Sequence, residues 1–303
     1  MERVETGECS GSFGELLQGV LPDGEKFLIN LKLKNRSVAS VTLTTASYDA
    51  AKEAEFARSY ATFPKTHKVL RNIMVDLGRH DDLLLHIDST IPVGKGLSSS
   101  TADMVASIEA LEKALSVSFK RPYISRMLTE IEPNDGLHYE GTSAYHHAKG
   151  KLIESWSWVP NWRILGLDFG GVIDTVEFNR RNVVFPPELR QEYAGLLATA
   201  VQAFAAEDRP ALAKVATRSA ELWQSINPKA SLPGVLQFAQ DSAAEGVVNA
   251  HSGTYLGLLY SDETHDWDAL LERAARAFPE ATARWYDTAT SGATPPATQF
   301  PRD

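Results

Sequence analysis

A single cysteine, Cys9, stands in 303 residues, so the chain forms no internal disulfide and no cysteine zinc cluster, a usage compatible with a reducing compartment. Long apolar runs are missing too. Stretches such as Tyr255-Leu256-Gly257-Leu258-Leu259-Tyr260 stop far short of the ~18 residues a bilayer crossing needs, which speaks against a membrane role. Base is in deficit: 30 Lys and Arg face 39 Asp and Glu, a formal charge of −9. With no Lys/Arg cluster to track a phosphodiester backbone, nucleic acid is not an expected partner. Met1-Glu2-Arg3-Val4-Glu5-Thr6 alternates charges, whereas a secretory leader has a basic end followed by an apolar stretch. The cytoplasm is therefore the expected address. There is no repeat of fixed period. What remains, 43% hydrophobic and 23% charged residues, is an ordinary globular composition sized for one large or two modest domains.

Local patterns divide the chain. Alternation over residues 38–45 and the short apolar run 83–87, closed by Asp88-Ser89-Thr90, predict strands. Met104, Val105, Ile108, Leu111 and Leu115 share one face of a helix expected over 100–115, with Ser100 and Asp103 as its capping pair and acid in its first turn. Trp156, Trp158 and Trp162 around Pro160 mark a change of texture, and the domain boundary is placed there, giving units 1–158 and 159–303. No basic residues interleave these tryptophans, so they read as interdomain core or the base of a lid and not as a stacking platform. Beyond them a strand is expected at 164–167, helices at 193–206, 211–226 and 267–278, and a strand from Gly246. Residues 288–303, with Pro295, Pro296 and Pro301, read as a frayed end.

The chemistry concentrates in residues 91–103, IPVGKGLSSSTAD. Gly94 and Gly96 permit close backbone approach, and a helix start offers unpaired N–H groups and a positive dipole end, the layout of a phosphate cradle. Lys95 adds a cation, and one hydroxyl of Ser98, Ser99, Ser100 or Thr101 is placed to ligate Mg²⁺ beside phosphate oxygens. A Walker A loop is excluded because Gly96 follows Lys95 and Ser89 stands where its first glycine belongs. A dinucleotide fingerprint is excluded by Ser99 at its third glycine. Asp168-Phe169-Gly170 invites a protein-kinase reading, but no HRD catalytic loop precedes it, and its flanks read as a sheet edge. A plain strand-to-helix turn with serine caps fits the composition equally well. Three serines and two glycines, however, exceed what one cap requires.

Pro92-Val93-Gly94-Lys95-Gly96-Leu97-Ser98-Ser99-Ser100-Thr101 resembles the second motif of the GHMP kinases, the galactokinase, homoserine kinase, mevalonate kinase and phosphomevalonate kinase group. The resemblance continues at Cys9 to Gly19 and at Asn249 to Thr254, and it is strongest to the L-threonine kinase branch of cobalamin biosynthesis, through Ile131-Glu132-Pro133-Asn134-Asp135 and Ala250-His251-Ser252-Gly253. Ser10 stands where that branch usually has proline, and Phe13 where a small residue or cysteine is common. The resemblance implies an α+β fold, with a ribosomal-protein-S5-like N-terminal domain, a ferredoxin-like C-terminal domain and the site in the cleft between them. It implies an ATP- and Mg²⁺-dependent kinase acting on the side-chain hydroxyl of L-threonine. Homoserine, serine, mevalonate-type and sugar acceptors are the alternatives, as is a nucleotide- or metabolite-binding regulator without turnover.

Roles follow from the same resemblance. Pro92 to Thr101 hold the nucleotide, Ser100 ligates Mg²⁺ with Ser98 and Ser99 on phosphate oxygens, Glu132 is the second metal ligand, and Asp135 is the general base. Ser99 takes the metal role if the register moves by one. Pro133 and Gly136 make the Glu132–Asp135 segment a turn that exposes both carboxylates, which is also ordinary turn chemistry. Glu15 and Gln18 contact acceptor or nucleotide, unless Glu15 opens a short helix. His251, Ser252 and Gly253 contact substrate, with Gly253 serving a turn. His138, His146 and His147 follow no metal-ligand spacing and read as structural.

Overall fold

The chain opens as a long hairpin. In the computed structural model, which describes residues 3–44, 50–171, 184–251, 253–261 and 266–289, β1 (Arg3–Val20) pairs antiparallel with β2 (Lys26–Thr44), from Arg3 opposite Leu43 to Val20 opposite Lys26. The register slips between Ser10 and Leu17, so β1 bends at bulges around Gly11 and Gly14, as an extra residue in one strand demands. The segment that also read as the start of a short helix at Glu15 is therefore extended. Pairing on both sides, to β2 and to a strand of the second half, outweighs the local preference.

Next in order come α1 (Ala50–Thr62), α2 (Pro64–Asp76), β3 (Asp82–Ser89), α3 (Ser99–Leu115), α4 (Arg121–Thr129), β4 (Thr142–His146), β5 (Lys151–Trp156) and β6 (Arg163–Asp168). They are followed by α5 (Pro187–Ala205), α6 (Arg209–Trp223), α7 (Leu232–Asp241), β7 (Gly246–Asn249), β8 (Tyr255–Tyr260), α8 (Trp267–Ala277) and β9 (Thr282–Asp287). Among the described residues the strands make one antiparallel sheet in the order β5-β4-β2-β1-β7-β8-β6-β9, with β3 on the far half of β2. Helices on an antiparallel sheet are what an α+β chain should show. None of these helices is long and apolar enough to cross a membrane.

α3 lies against β1 and β2 and buries Ala102, Met104, Val105, Ala106, Ile108, Ala110 and Leu111. Its start departs from the expected cap. The N-cap is Ser98, in the left-handed region at φ 61°, with no side-chain cap bond and no acid in the first turn. Asp103 instead turns inward and accepts from Ser37 Oγ on β2 at 2.6 Å; a buried tertiary partner outcompetes the local one. One large core runs from Cys9 and Phe13 through α3 to Val248 and Tyr286. A smaller one, around Leu165, Val235, Leu256 and Leu270, fills the space under α7 and α8.

The tryptophans are packing residues. Trp156 stacks on Phe204 of α5 at 4.1 Å and 8°, and Trp158 meets the same ring edge-on. Trp162 is buried and donates Nε1–H to Glu245 at 2.8 Å. Thr288, expected to begin a frayed end, is instead fully buried; its hydroxyl accepts from the Trp162 N–H at 2.8 Å. Ala289 N–H reaches the Lys32 carbonyl at 2.8 Å. Residues 290–303 of that segment lie outside the described residues. Because Phe204 is buried under both tryptophans, Phe204→Ala should lower stability by ~3–5 kcal/mol, read as a lowered urea midpoint with Trp156 fluorescence shifted to the red.

Candidate active site

Three segments meet backbone to backbone at the amino end of α3. A Cβ on Gly253 would stand 2.1 Å from the Lys95 carbonyl oxygen, and one on Gly14 2.7 Å from Ala250 Cα. The Ser12 N–H donates to the Leu97 carbonyl at 3.2 Å. The segments 9–19, 91–101 and 249–254 thus close on one point. Gly94 and Gly96 take φ of 73° and 79°, which bends the second loop so that the first-turn N–H groups of α3 and its positive dipole end border it. Of the expected nucleotide residues, Leu97 has its side chain buried in the core, and Thr101 is buried as well. Ser252 lies outside the described residues.

The carboxylates of the Glu132–Asp135 segment arrive from the end of α4. Ser100 Oγ donates to Glu132 Oε1 at 2.6 Å, and Lys65 Nζ pairs with Glu132 Oε2 at 2.5 Å. Thr101 Oγ1 lies 3.5 Å from Asp135 Oδ2. Neither carboxylate is exposed as the turn predicted: the Glu132 side chain is 11% exposed and Asp135 is half-buried, because the turn is folded back onto α3. Burial pushes the Asp135 carboxyl up to about 6; the Ser98 and Thr101 hydroxyls work against that rise and the Glu132 charge adds to it. Among the described residues no three His, Cys, Asp or Glu side chains gather as a metal cage. A hydroxyl and a carboxylate at hydrogen-bond distance beside an anion cradle do fit a divalent ion that takes its remaining oxygens from phosphate and water.

The opposite wall is made by β1 and the segment after β7. Glu15 sits opposite Asn249 and is 5% exposed. Its Oε2 is buried without a hydrogen-bond partner. Burial raises its carboxyl well above the usual range and the Asp135 charge adds to this, while the His251 N–H and the Lys229 charge pull down. Lys229 donates to Asn249 Oδ1, to the Ala250 carbonyl at 3.0 Å and to the Tyr255 carbonyl at 3.1 Å. Burial brings its ammonium down to about 7, with the Glu15 charge opposing. His251 donates Nδ1–H to Gln18 Oε1 at 2.5 Å, and burial, with the charges of His147, Lys26 and Lys229, keeps it neutral. Nε2 is then its acceptor face. His147 lies against it, ring centroids 5.4 Å apart, with Nδ1 buried and unpartnered.

Three of these side chains escaped the sequence reading. Lys65 carried a signal, a cation in the first turn of a helix, where the dipole disfavours it. Lys229 carried none, being one lysine in a connecting loop. His147 reads as structural because it follows no metal-ligand spacing, and its contact with His251, distant in sequence, gives no local signal. Lys95, expected as a phosphate cation, is paired with Asp168 at 2.8 Å. Lys229→Met leaves three carbonyl-type acceptors without their donor, so it should cost ~1–3 kcal/mol and disorder 249–255, seen as a lowered melting temperature and faster amide exchange there.

Residues 64–141 match the model of the GHMP kinases N terminal domain. The L-threonine kinase of Citrobacter freundii is 25% identical over 275 residues, 88% of this chain and 89% of that protein. The L-threonine kinase of Salmonella typhimurium strain LT2 is 24% identical over 269 residues, 88% and 86% of the two chains. Among solved structures, the homoserine kinase of Cytophaga hutchinsonii superposes with a TM-score of 0.69 at 12% identity, covering 95% of each chain. Residues 64–141 thus match a GHMP kinases N terminal domain, and the fold of the whole is similar to that of the homoserine kinase structure.

Proposed function

We propose that the protein is an ATP- and Mg²⁺-dependent kinase that phosphorylates the side-chain hydroxyl of a small hydroxy amino acid, L-threonine to O-phospho-L-threonine. The observation that carries the reading is the meeting of Asp135 with Ser100–Glu132 at the glycine-lined start of α3. One group suits a hydroxyl proton and the other a metal, and both border an anion cradle. The two L-threonine kinases with 88% coverage support the acceptor.

Phosphoryl transfer asks chiefly for positioning and for neutralisation of phosphate charge. In this reading the N–H groups of the α3 start and the hydroxyls of Ser98 and Ser99 hold the phosphate chain. Ser100 and Glu132 would hold Mg²⁺, which would supply neutralisation of phosphate charge. Lys65, already on Glu132, adds a cation at the same edge. Asp135 Oδ2 takes the proton of the acceptor hydroxyl as its oxygen bonds to the γ-phosphorus and the bond to the ADP oxygen breaks. The buried, unpartnered Glu15 oxygen close to Asp135 suits an ammonium group, whose charge would return both carboxylates to their ionised forms. A mevalonate-type or sugar acceptor brings no such cation. This favours an amino acid.

The raised Asp135 carboxyl sets a pH dependence. Protonated it cannot accept the proton, so kcat/KM should fall as pH drops through about 6. The stability sign is opposite: a carboxyl raised on folding stabilises the fold in its neutral form, and that contribution is lost as pH rises from the ordinary carboxylate range through about 6. Asp135→Asn should therefore abolish the acid limb, lower turnover ~10²–10⁴-fold, leave ATP affinity intact and raise stability at neutral pH, where the ionised carboxylate is costly to bury. Ser100→Ala should weaken use of Mg²⁺·ATP. The deciding assay is ADP release with Mg²⁺·ATP across L-threonine, L-serine, L-homoserine, mevalonate and galactose, with phosphorus NMR of the product. A phosphate ester of L-threonine as the preferred product is expected. Preference for another acceptor overturns the substrate, and ATP binding without turnover on any of them favours a regulator.

A further inference from the structure

The Asp168-Phe169-Gly170 triplet, set aside as a protein-kinase signature, has a task in the structure. Asp168 ends β6, and its carboxylate is fully engaged. Oδ1 accepts from Thr254 Oγ1 at 2.7 Å and from the Gly170 N–H at 3.0 Å, while Oδ2 holds Lys95 Nζ at 2.8 Å. A second bond runs from Lys95 Nζ to the Gly171 carbonyl at 2.9 Å. Gly170 and Gly171 both take φ of 82°, a conformation costly for other residues. That double turn is what brings the 170 N–H back to Asp168 and the 171 carbonyl to Lys95. Lys95 is gripped a second time through its backbone, since Gly253 lies against its carbonyl with no room for a Cβ. Thr254, the next residue, is the one that also holds Asp168. Side chain and main chain of one loop residue are thus fastened to two neighbouring segments of the second half.

We propose that Asp168 is a positioning residue for nucleotide binding, acting through Lys95: the Lys95–Asp168 pair, seated on Thr254 and Gly171, clasps the glycine loop to the end of β6 and fixes the backbone that holds the phosphate chain. This rests on the kinase reading above and changes the role of Lys95 within it. An ammonium has three donors, and two are already spent on Asp168 and Gly171. Its charge is answered by a carboxylate 2.8 Å away, and the hydrogen bonds from Lys95 and Thr254 keep Asp168 below the usual carboxylate range even though burial pushes the other way. Neutralisation of the phosphates then falls to the α3 N–H groups, the serine hydroxyls, Lys65 and the metal. Lys95 orders the loop. The pair's side chains are 20% and 13% exposed, so the clasp is shielded enough to resist screening better than a surface pair.

The test is a double-mutant cycle on Mg²⁺·ATP affinity, measured by titration calorimetry on the full chain. Lys95→Met, Asp168→Asn and the double variant should each weaken binding by about the same factor, of order ten-fold, because two residues acting as one unit are lost once. The KM for the acceptor should stay at the parental value. A charge-swapped Lys95→Glu/Asp168→Lys chain should recover most of the affinity that Lys95→Glu alone loses. Losses that multiply in the double variant, a larger loss for Lys95→Met than for Asp168→Asn, or no recovery on swapping would make Lys95 an independent phosphate contact and overturn the clasp. Melting temperatures of all variants separate a loosened loop from a loosened fold, and Thr254→Val, which removes one bond to Asp168, gives a milder second point: a smaller loss is expected and none overturns the seat. A parental chain that binds no ATP would remove the kinase reading itself, whereas parental binding with an additive cycle removes only the clasp.

Discussion

Among the described residues Glu15 opposite Asn249 is the one register pair between β1 and β7, and with the Leu33–Thr288 bridge it joins the strands of the first half to those of the second in a single sheet. That seam puts an ionisable side chain where water is excluded. A buried carboxylate is costly unless partnered, and the surroundings answer in part: the His251 N–H reaches it, and Lys229 stands near while bonding Asn249, Ala250 and Tyr255. The same lysine thereby ties down the loop that closes on Gly14 and Gly96. Sheet continuity, loop closure and the charge of the site are one arrangement.

The electrostatics divide accordingly. On the side of Glu15 and Asp135, groups are pushed towards neutrality by burial: Glu15 and Asp135 upward, Lys229, His147 and His251 downward. On the side of the glycine loop Asp168 is held ionised by its donors. Environments that drive titratable groups apart in this way are those in which one fold can keep a base poised near neutral pH beside fixed charges. The ligands proposed for the site bring charge of their own, phosphates at one end and a cation at the other.

How much of this was legible in the sequence depended on how local the cause was. The glycine loop, α3 and the strands at β2, β3 and β6 were readable, because periodicity and dense Gly and Ser signals act within a few residues. Ser100 with Glu132, named as a pair from motif resemblance, does meet. The Ser100–Asp103 cap failed because Ser37 on β2, far away in sequence, offered Asp103 a buried hydroxyl. The exposed turn at Glu132 and Asp135 failed for a similar reason, since α3 covers it. Lys229 carried no local signal, and the parts played by His147, read as structural, and Asp168, read as a sheet edge, were not legible, because each owes its place to contacts across the sheet seam or the loop junction.

The two ends of the site differ in how they are built, and this bears on how the fold serves different acceptors. The phosphate end is mostly backbone: glycines without Cβ clearance, a helix start, one left-handed serine. Such features ask little of the sequence beyond small residues at the contacts. The opposite end, where the proposed acceptor would sit, is made of side chains, Glu15, Gln18, His147, Lys229 and His251. A fold shared with mevalonate kinase and galactokinase structures at 12–15% identity is what such a division permits, because the backbone half of the site survives sequence change while the side-chain half is rewritten. Fold then states the reaction class only by analogy. The acceptor must be read from those side chains, and in the proposed reading the buried, unpartnered Glu15 oxygen is the group that would meet an ammonium, which a sugar or mevalonate does not bring.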